Sequence, residues 1–327
     1  MTPQREPPPT VAIGRTALAV PSLGVGAWSW GDRRYWGFGA RHGPRDVVDA
    51  YEASIEGGAR LFDTAEVYGH GDAEKALGWL ARRPGPPQVI ATKFAPLGGR
   101  GGARAVLPAL RASLRRMGLA RVDLYQVHWA DIEECPIAAL MAAMADAVEM
   151  GLARAVGVSN FTASETREAH GALEKRGIPL ASNQVHYSLL HRAPEVDGVL
   201  DACRELGVTL LAYSPLEQGI LCGTYGPDHV PEGPRAETPW FSRDNLAASL
   251  PVLELLRETG RALGDRPPEQ VALNWLRAKP GVIPLAGART GAQAERNVGA
   301  LAWTLPEDDV ARLDAATTRW ARATRDA

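Results

Sequence analysis

Residues 107–128 read LPALRASLRRMGLARVDLYQVH, and this stretch holds the repeating unit of the chain. Leu107, Leu110, Leu114 and Met117 recur at the three- and four-residue spacing that brings side chains to one stripe of a helix. The run Val122–Val127 that follows is short and largely apolar, as a strand covered on both sides should be, and a polar residue, His128, stands at its end. Comparable runs recur at intervals of roughly 25 to 35 residues. They are Leu23–Ala27, Leu61–Phe62, Val89–Thr92, Ala155–Val158, Ser182–Val185, Thr209–Ala212 and Val282–Leu285. Amphipathic segments lie between them, with Val47, Val48, Tyr51 and Ile55 on one stripe and Val196, Val199, Leu200, Cys203 and Leu206 on another. Strands alternating with helices imply a parallel sheet, and eight repeats favour a closed α/β barrel of the (β/α)8 TIM type over an open doubly wound sheet.

Punctuation supports that reading. Thr162 with Glu165 and Thr290 with Gln293 have capping-box spacing, and Pro136, Pro268 and Pro306 suit first-turn positions. Ahead of the first barrel strand, Val11–Ile13 and Ala17–Val20 flank a Gly14-Arg15-Thr16 turn, predicting an N-terminal β-hairpin that closes the barrel bottom. A long loop after the seventh strand, from Ser214 to about Pro267, includes a helix near Leu246–Leu263; insertions at this face of a barrel usually serve the ligand. Residues 1–9 are polar and proline-rich and read as a disordered lead-in, with one barrel domain over 10–327.

At 327 residues and 45% apolar the chain can bury a large core, and a net charge of −2 with interspersed signs offers no face for nucleic acid. The three cysteines, Cys135, Cys203 and Cys222, have neither disulfide-frame nor zinc-ligand spacing, which fits a reducing cytoplasm. No apolar run approaches the roughly 18 residues of a membrane span, and the N-terminus lacks a signal-peptide core. Nothing marks an oligomer interface, and a monomer is compatible. Gly98–Gly102 lacks the Lys and Ser/Thr of a P-loop and reads as a mobile βα loop, while Gly24-Val25-Gly26 lacks the third glycine of a dinucleotide fingerprint.

Polar residues gather where the barrel mouth should be: Asp63, Lys93, His128, Ser159 with Asn160, Gln184, and Tyr213 with Ser214 each end a strand. Singly each has an ordinary structural explanation. Together they converge on one mouth, where Asp63 and Lys93 relieve each other's cost of burial and Tyr68, five residues past Asp63, can reach the same space.

The wording of these segments resembles the aldo-keto reductases: FDTAEVYG at 62–69, ATKF at 91–94, DLYQVHW at 123–129, GVSNF at 157–161, NQVHYSLL at 183–190 and AYSPLEQGIL at 212–221. The similarity runs from about Thr10 to Leu313. Within the family, IPLASNQVHYSLLHRAPE at 178–195 and VALNWLRAKPGVIPLAGAR at 271–289 are similar to the plastid-type aldo-keto reductase and pyridoxal reductase group. The resemblance implies an NADP(H)-dependent carbonyl reductase with Asp63, Tyr68, Lys93 and His128 as its catalytic tetrad. Tyr68 is then the proton donor, Lys93 the cation that favours its phenolate, Asp63 the holder of that lysine, and His128 the group that orients the substrate oxygen.

For the cofactor, the same resemblance places Ser159, Asn160 and Gln184 on the nicotinamide carboxamide and Tyr213 beneath the ring. It adds Ser214, Leu216, Gln218, Gly219 and Gly287 to the nucleotide contacts. Arg289, Gln293 and Asn297, spaced i, i+4, i+8, are expected on one helical face at a phosphate site. The chain departs from a common family pattern where Gly287 replaces a lysine, Arg296 a glutamate and Thr224 a lysine. Arg289 is therefore expected to read the 2′-phosphate and Arg235 to supply charge to the pyrophosphate. Trp28 and Trp129, with Trp30 and Trp36 nearby, suggest an aromatic-walled substrate pocket. No metal set is evident. Two alternatives stand beside the reductase: a nucleotide-binding regulatory barrel similar to channel β-subunits, and a metal-dependent barrel enzyme, which calls for more carboxylates and histidines at strand ends.

Overall fold

The computed structural model describes residues 8–96, 102–130 and 135–322. Eight parallel strands close into a barrel: β3 (Gly24–Gly26), β4 (Leu61–Asp63), β5 (Val89–Phe94), β6 (Val122–Val127), β7 (Ala153–Ser159), β8 (Leu180–His186), β9 (Thr209–Tyr213) and β10 (Val282–Gly287), the last pairing back to β3. Helices α1 (Pro44–Glu56), α2 (Asp72–Ala81), α3 (Ala103–Met117), α4 (Ile137–Glu149), α5 (Ala163–Glu174) and α6 (Val199–Leu206) follow the first six barrel strands in turn. After β9 come α7 (Arg243–Ala262) and α8 (Pro268–Arg277), and after β10 come α9 (Gly291–Val298) and α10 (Glu307–Ala316). This is the expected (β/α)8 architecture.

Strand alternation determines what faces inward. Leu61 shares a face with Asp63, Ala91 with Lys93, and Leu124 with Gln126; the apolar members pack at the barrel bottom and the polar ones sit nearer the mouth. A register shift between β7 and β8 near Val156 and Val158 leaves Ser159 paired with Gln184. The hairpin strands β1 (Thr10–Ala12) and β2 (Ala19–Pro21) pair antiparallel and plug the bottom, with Ile13, Leu18 and Val20 in the interior cluster. The turn is longer than Gly14–Thr16: Ile13 leaves the strand to donate to the Leu18 carbonyl at 2.8 Å, because its side chain is buried under the barrel.

The helix signals are met in part. Thr162 and Glu165 form the reciprocal box at α5, and Pro268 opens α8 at its first turn. Pro136 and Pro306 instead occupy the cap position before α4 and α10. The lead-in falls largely in residues 1–7, outside the described residues, as do Gly98 to Gly101; Gly102 precedes α3 as its cap. No helix among the described residues is long and apolar enough to cross a membrane. Cys135, Cys203 and Cys222 are unpaired thiols.

Candidate active site

Asp63 ends β4 and Lys93 lies one residue short of the end of β5, so the barrel itself sets their approach. Both are buried, and the Lys93 ammonium donates to Asp63 Oδ2, to the Thr64 carbonyl at 3.0 Å and to the Tyr68 hydroxyl at 3.3 Å. The second carboxylate oxygen of Asp63 accepts from Gln126 Nε2 at 3.0 Å and Gln184 Nε2 at 2.9 Å. A buried ion pair holds when its remaining lone pairs and protons are satisfied, and these bonds do that. Gln126 was not expected. Its signal was a buried glutamine on the inner face of β6, in register with Lys93.

Tyr68 opens a tight turn, Tyr68–Gly71, in which Gly69 and His70 both adopt positive φ, bringing the phenol back over Lys93 with the ammonium 4.9 Å from its ring centre. Burial pushes the Tyr68 phenol above its ordinary value; the charge and hydrogen bond of Lys93 oppose this without reversing it. Lys93 thus favours the phenolate, while burial is the larger influence and the phenol is protonated at neutral pH. For Lys93, burial works toward neutrality and is outweighed by Asp63 and Tyr68, so its value is raised and the ammonium is charged. His128 is lowered to about 2, by burial first and Lys93 second, and is a neutral imidazole. No described residue bonds its Nδ1.

Above this set lies a cavity of about 440 Å³. Tyr68, His128, Trp28 and Trp129 line one end, with Trp28 stacked on Tyr68 at 5.7 Å and Trp129 on His128 at 3.8 Å. Trp36 also lines it, whereas Trp30 is core, its Nε1 donating to the Ala288 carbonyl at 2.7 Å. In the middle, Ser159 Oγ donates to the Gln184 carbonyl, Asn160 Nδ2 to the His128 carbonyl, and Tyr213 hydroxyl to Asn160 Oδ1 at 3.0 Å. Ser214, Leu216, Gln218 and Gly219 follow on the wall, in a turn where Ser214, Glu217 and Gln218 all take positive φ. Non-glycine residues there store roughly 1–3 kcal/mol each and gather at ligand sites.

At the far end stand Gly287, Arg289, Gln293 and Asn297, together with Arg296 and Glu269, which form an ion pair at 2.7 Å. The expected single helical face is corrected: Thr290 caps α9, so Arg289 lies before the helix, and the Gln293 side chain reaches back to accept its backbone N–H at 2.8 Å. Arg289, Gln293 and Asn297 still line one wall. Arg235 is a second correction. It is buried outside the cavity wall, its guanidinium over Trp36, Tyr225 and Phe241 and donating to the Gln218 carbonyl at 2.7 Å, where it braces the loop instead of facing a pyrophosphate. Among the described residues no group of three His, Cys, Asp or Glu side chains could hold a metal.

A sequence profile described as the Aldo/keto reductase family matches residues 22–318. The chloroplastic pyridoxal reductase of Arabidopsis thaliana is 35% identical, covering 91% of this chain and 83% of its own. The NADH-specific methylglyoxal reductase of Escherichia coli strain K12 is 30% identical over 91% of this chain and 95% of its own. A solved structure of an aldo-keto reductase from Klebsiella pneumoniae in complex with NADPH superposes with a TM-score of 0.76 at 27% identity, covering 98% of this chain and 99% of that one.

Proposed function

This chain belongs to the aldo/keto reductase family, and on that premise we propose that it reduces aldehydes or ketones to alcohols with NADPH, using Tyr68 as proton donor. The observation that carries the proposal is the Lys93 ammonium joining Asp63 to the Tyr68 hydroxyl directly beneath a cavity lined by Ser159, Asn160, Gln184, Tyr213 and Arg289. Family membership makes the chain an oxidoreductase using a nicotinamide cofactor. The residues fit such a group: Tyr213 offers a ring face beside the amides of Asn160 and Gln184, and the capped N-terminus of α9, with Arg289 just before it, offers donors and positive charge to phosphates. Of Gln184, Nε2 serves Asp63, so Oε1 is the atom assigned to the carboxamide.

When bound, the reduced nicotinamide supplies the hydride. The chain must then deliver a proton to the carbonyl oxygen and bear the charge that develops there. Tyr68 donates the proton from its hydroxyl, and Lys93, already within hydrogen-bond reach, stabilises the phenolate left behind. Asp63 fixes the ammonium and is itself fixed by Gln126 and Gln184. His128, neutral, orients the carbonyl oxygen by hydrogen bonding and does not protonate it. Trp28 and Trp129 wall the substrate end and suit flat or apolar carbonyl compounds. Preference for NADPH over NADH rests on Arg289, and unpaired cysteines agree with a cytoplasmic setting.

The test is steady-state oxidation of NADPH with 4-nitrobenzaldehyde and a panel of other aldehydes. The proposal expects turnover; tight NADPH binding with no turnover on any aldehyde would overturn it in favour of a regulatory nucleotide-binding barrel.

A further inference from the structure

Behind Tyr213, on the side of the barrel mouth, three rings lie nearly parallel. His186 stacks on Tyr213 with centroids 5.3 Å apart and planes 16° off, and His191 stacks on His186 at 3.9 Å and 5°. Trp240 meets both imidazoles edge-on, at 5.1 Å and 5.7 Å. Strand register explains the first contact, since His186 ends β8 and pairs with Tyr213 at the end of β9. The stack is anchored: His186 Nε2 lies 2.7 Å from Glu217 Oε1, and the Ser188 hydroxyl donates to the same oxygen. Glu217 is 3% exposed and sits at positive φ in the turn that carries Leu216, Gln218 and Gly219 along the cavity wall. A buried carboxylate is costly without partners, so this pair is held firmly or not at all.

Resting on the assignment of Tyr213 to the cofactor ring, we infer that His186 is a positioning residue: anchored by Glu217, its imidazole sets the plane of Tyr213 and so preorganises the seat of the nicotinamide. Neither His186 nor Glu217 has a part in the proton transfer; they act through Tyr213. The geometry supplies what such a role needs, a rigid flat support on the face of Tyr213 and a hydrogen bond that ties that support to the cofactor-binding turn. His191 and Trp240 close the support from behind. Burial, and then the neighbouring His186, lower His191 to about 4, which keeps that ring neutral. Glu217 is held below the usual carboxylate range because His186 and Ser188 outweigh its burial, so the anchor is ionised.

The test is a double-mutant cycle on the full chain, read as the Kd for NADPH by fluorescence titration for the wild type, His186→Ala, Tyr213→Ala and the double variant. Loss of preorganisation at one side chain should raise Kd roughly three- to tenfold in His186→Ala. In the Tyr213→Ala background the second substitution should add nothing, because the residue it acts through is gone. Steady-state kinetics should show KM for NADPH rising while KM for the aldehyde holds. His186→Asn keeps a donor for Glu217 without the ring and should show the same weakening, which covers the case that His186→Ala does not fold. An unchanged Kd in both His186 variants, or effects that add in full, overturns the inference alone. An unchanged Kd in Tyr213→Ala overturns the cofactor-ring assignment first and the inference with it.

Discussion

The two ends of the cavity are built differently. At the catalytic end the charges belong to strands: Lys93 and Asp63 are buried on β5 and β4, their positions set by barrel register and their hydrogen bonds completed by Thr64, Gln126 and Gln184. At the nucleotide end the charges hang from a turn and a short helix: Arg289 is partly buried ahead of α9, and Arg296 is half in solvent against Glu269. Water screens the second set and not the first. The first end should therefore couple stability to chemistry, while the second should affect affinity alone.

The sharpest way to break that contrast is Lys93→Met. It leaves Asp63 buried without its cation, which should cost about 3–5 kcal/mol of stability, and it should lower turnover at least roughly 10²-fold. Thermal unfolding and steady-state rates check both; a variant as stable as the wild type would show that the pair is not the keystone of its end. Arg289→Ala should weaken NADPH by about ten- to a hundredfold, the worth of one charge-assisted contact, with little change for NADH or for unfolding temperature. Equal loss for both cofactors would remove Arg289 from the 2′-phosphate. Arg296→Ala should cost less than Lys93→Met, because Arg296 is half in solvent although its partner Glu269 is buried, and calorimetry would detect a cost as large as that of Lys93→Met.

The least effect is expected from pH. The proposed mechanism needs a protonated Tyr68 and a neutral His128, and these groups are displaced upward from 10 and down to about 2 respectively. Their own titrations should therefore leave the kcat profile without an inflection from about pH 6 to 9, and the rate should fall only on the alkaline side. An inflection near 6.5 that disappears in His128→Asn would contradict the buried, neutral histidine. The same depression has a consequence for folding. The unfolded state binds a proton at His128 below 6.5 that the native state refuses, so the stability this contributes is present above that pH and is lost as pH falls toward about 2.

The contrast also explains what the sequence revealed. Buried strands leave apolar runs, so all eight barrel strands were readable; the runs stopped where Asp63, Lys93, Ser159, His186 and Tyr213 break the apolar pattern at the mouth, and the polar strand ends carried the reading on to Asp63, Ser159 and Tyr213, where β4, β7 and β9 do end. Asp63, Lys93 and His128 stood out as polar strand ends, since charge inside a barrel needs a reason, and Tyr68 was reached from its spacing to Asp63. Gln126 was missed because it lies inside its strand and not at the end, and only register sets it beside Lys93. On loops the signal fades: spacing put Arg289 on a helix that begins after Thr290, and nothing local showed that Arg235 is buried among Trp36, Tyr225 and Phe241. His186 and Glu217, far apart in sequence, meet only through β8 and the turn after β9.

The most direct measurement is single-turnover oxidation of bound NADPH by an excess of 4-nitrobenzaldehyde in wild type and Tyr68→Phe, with the Kd for NADPH measured on the same preparations. With Tyr68 as proton donor, the chemical step should slow roughly 10²- to 10⁴-fold with Kd within about twofold of wild type, since only the proton donor is removed. A Tyr68→Phe enzyme that turns over at the wild-type rate would contradict it.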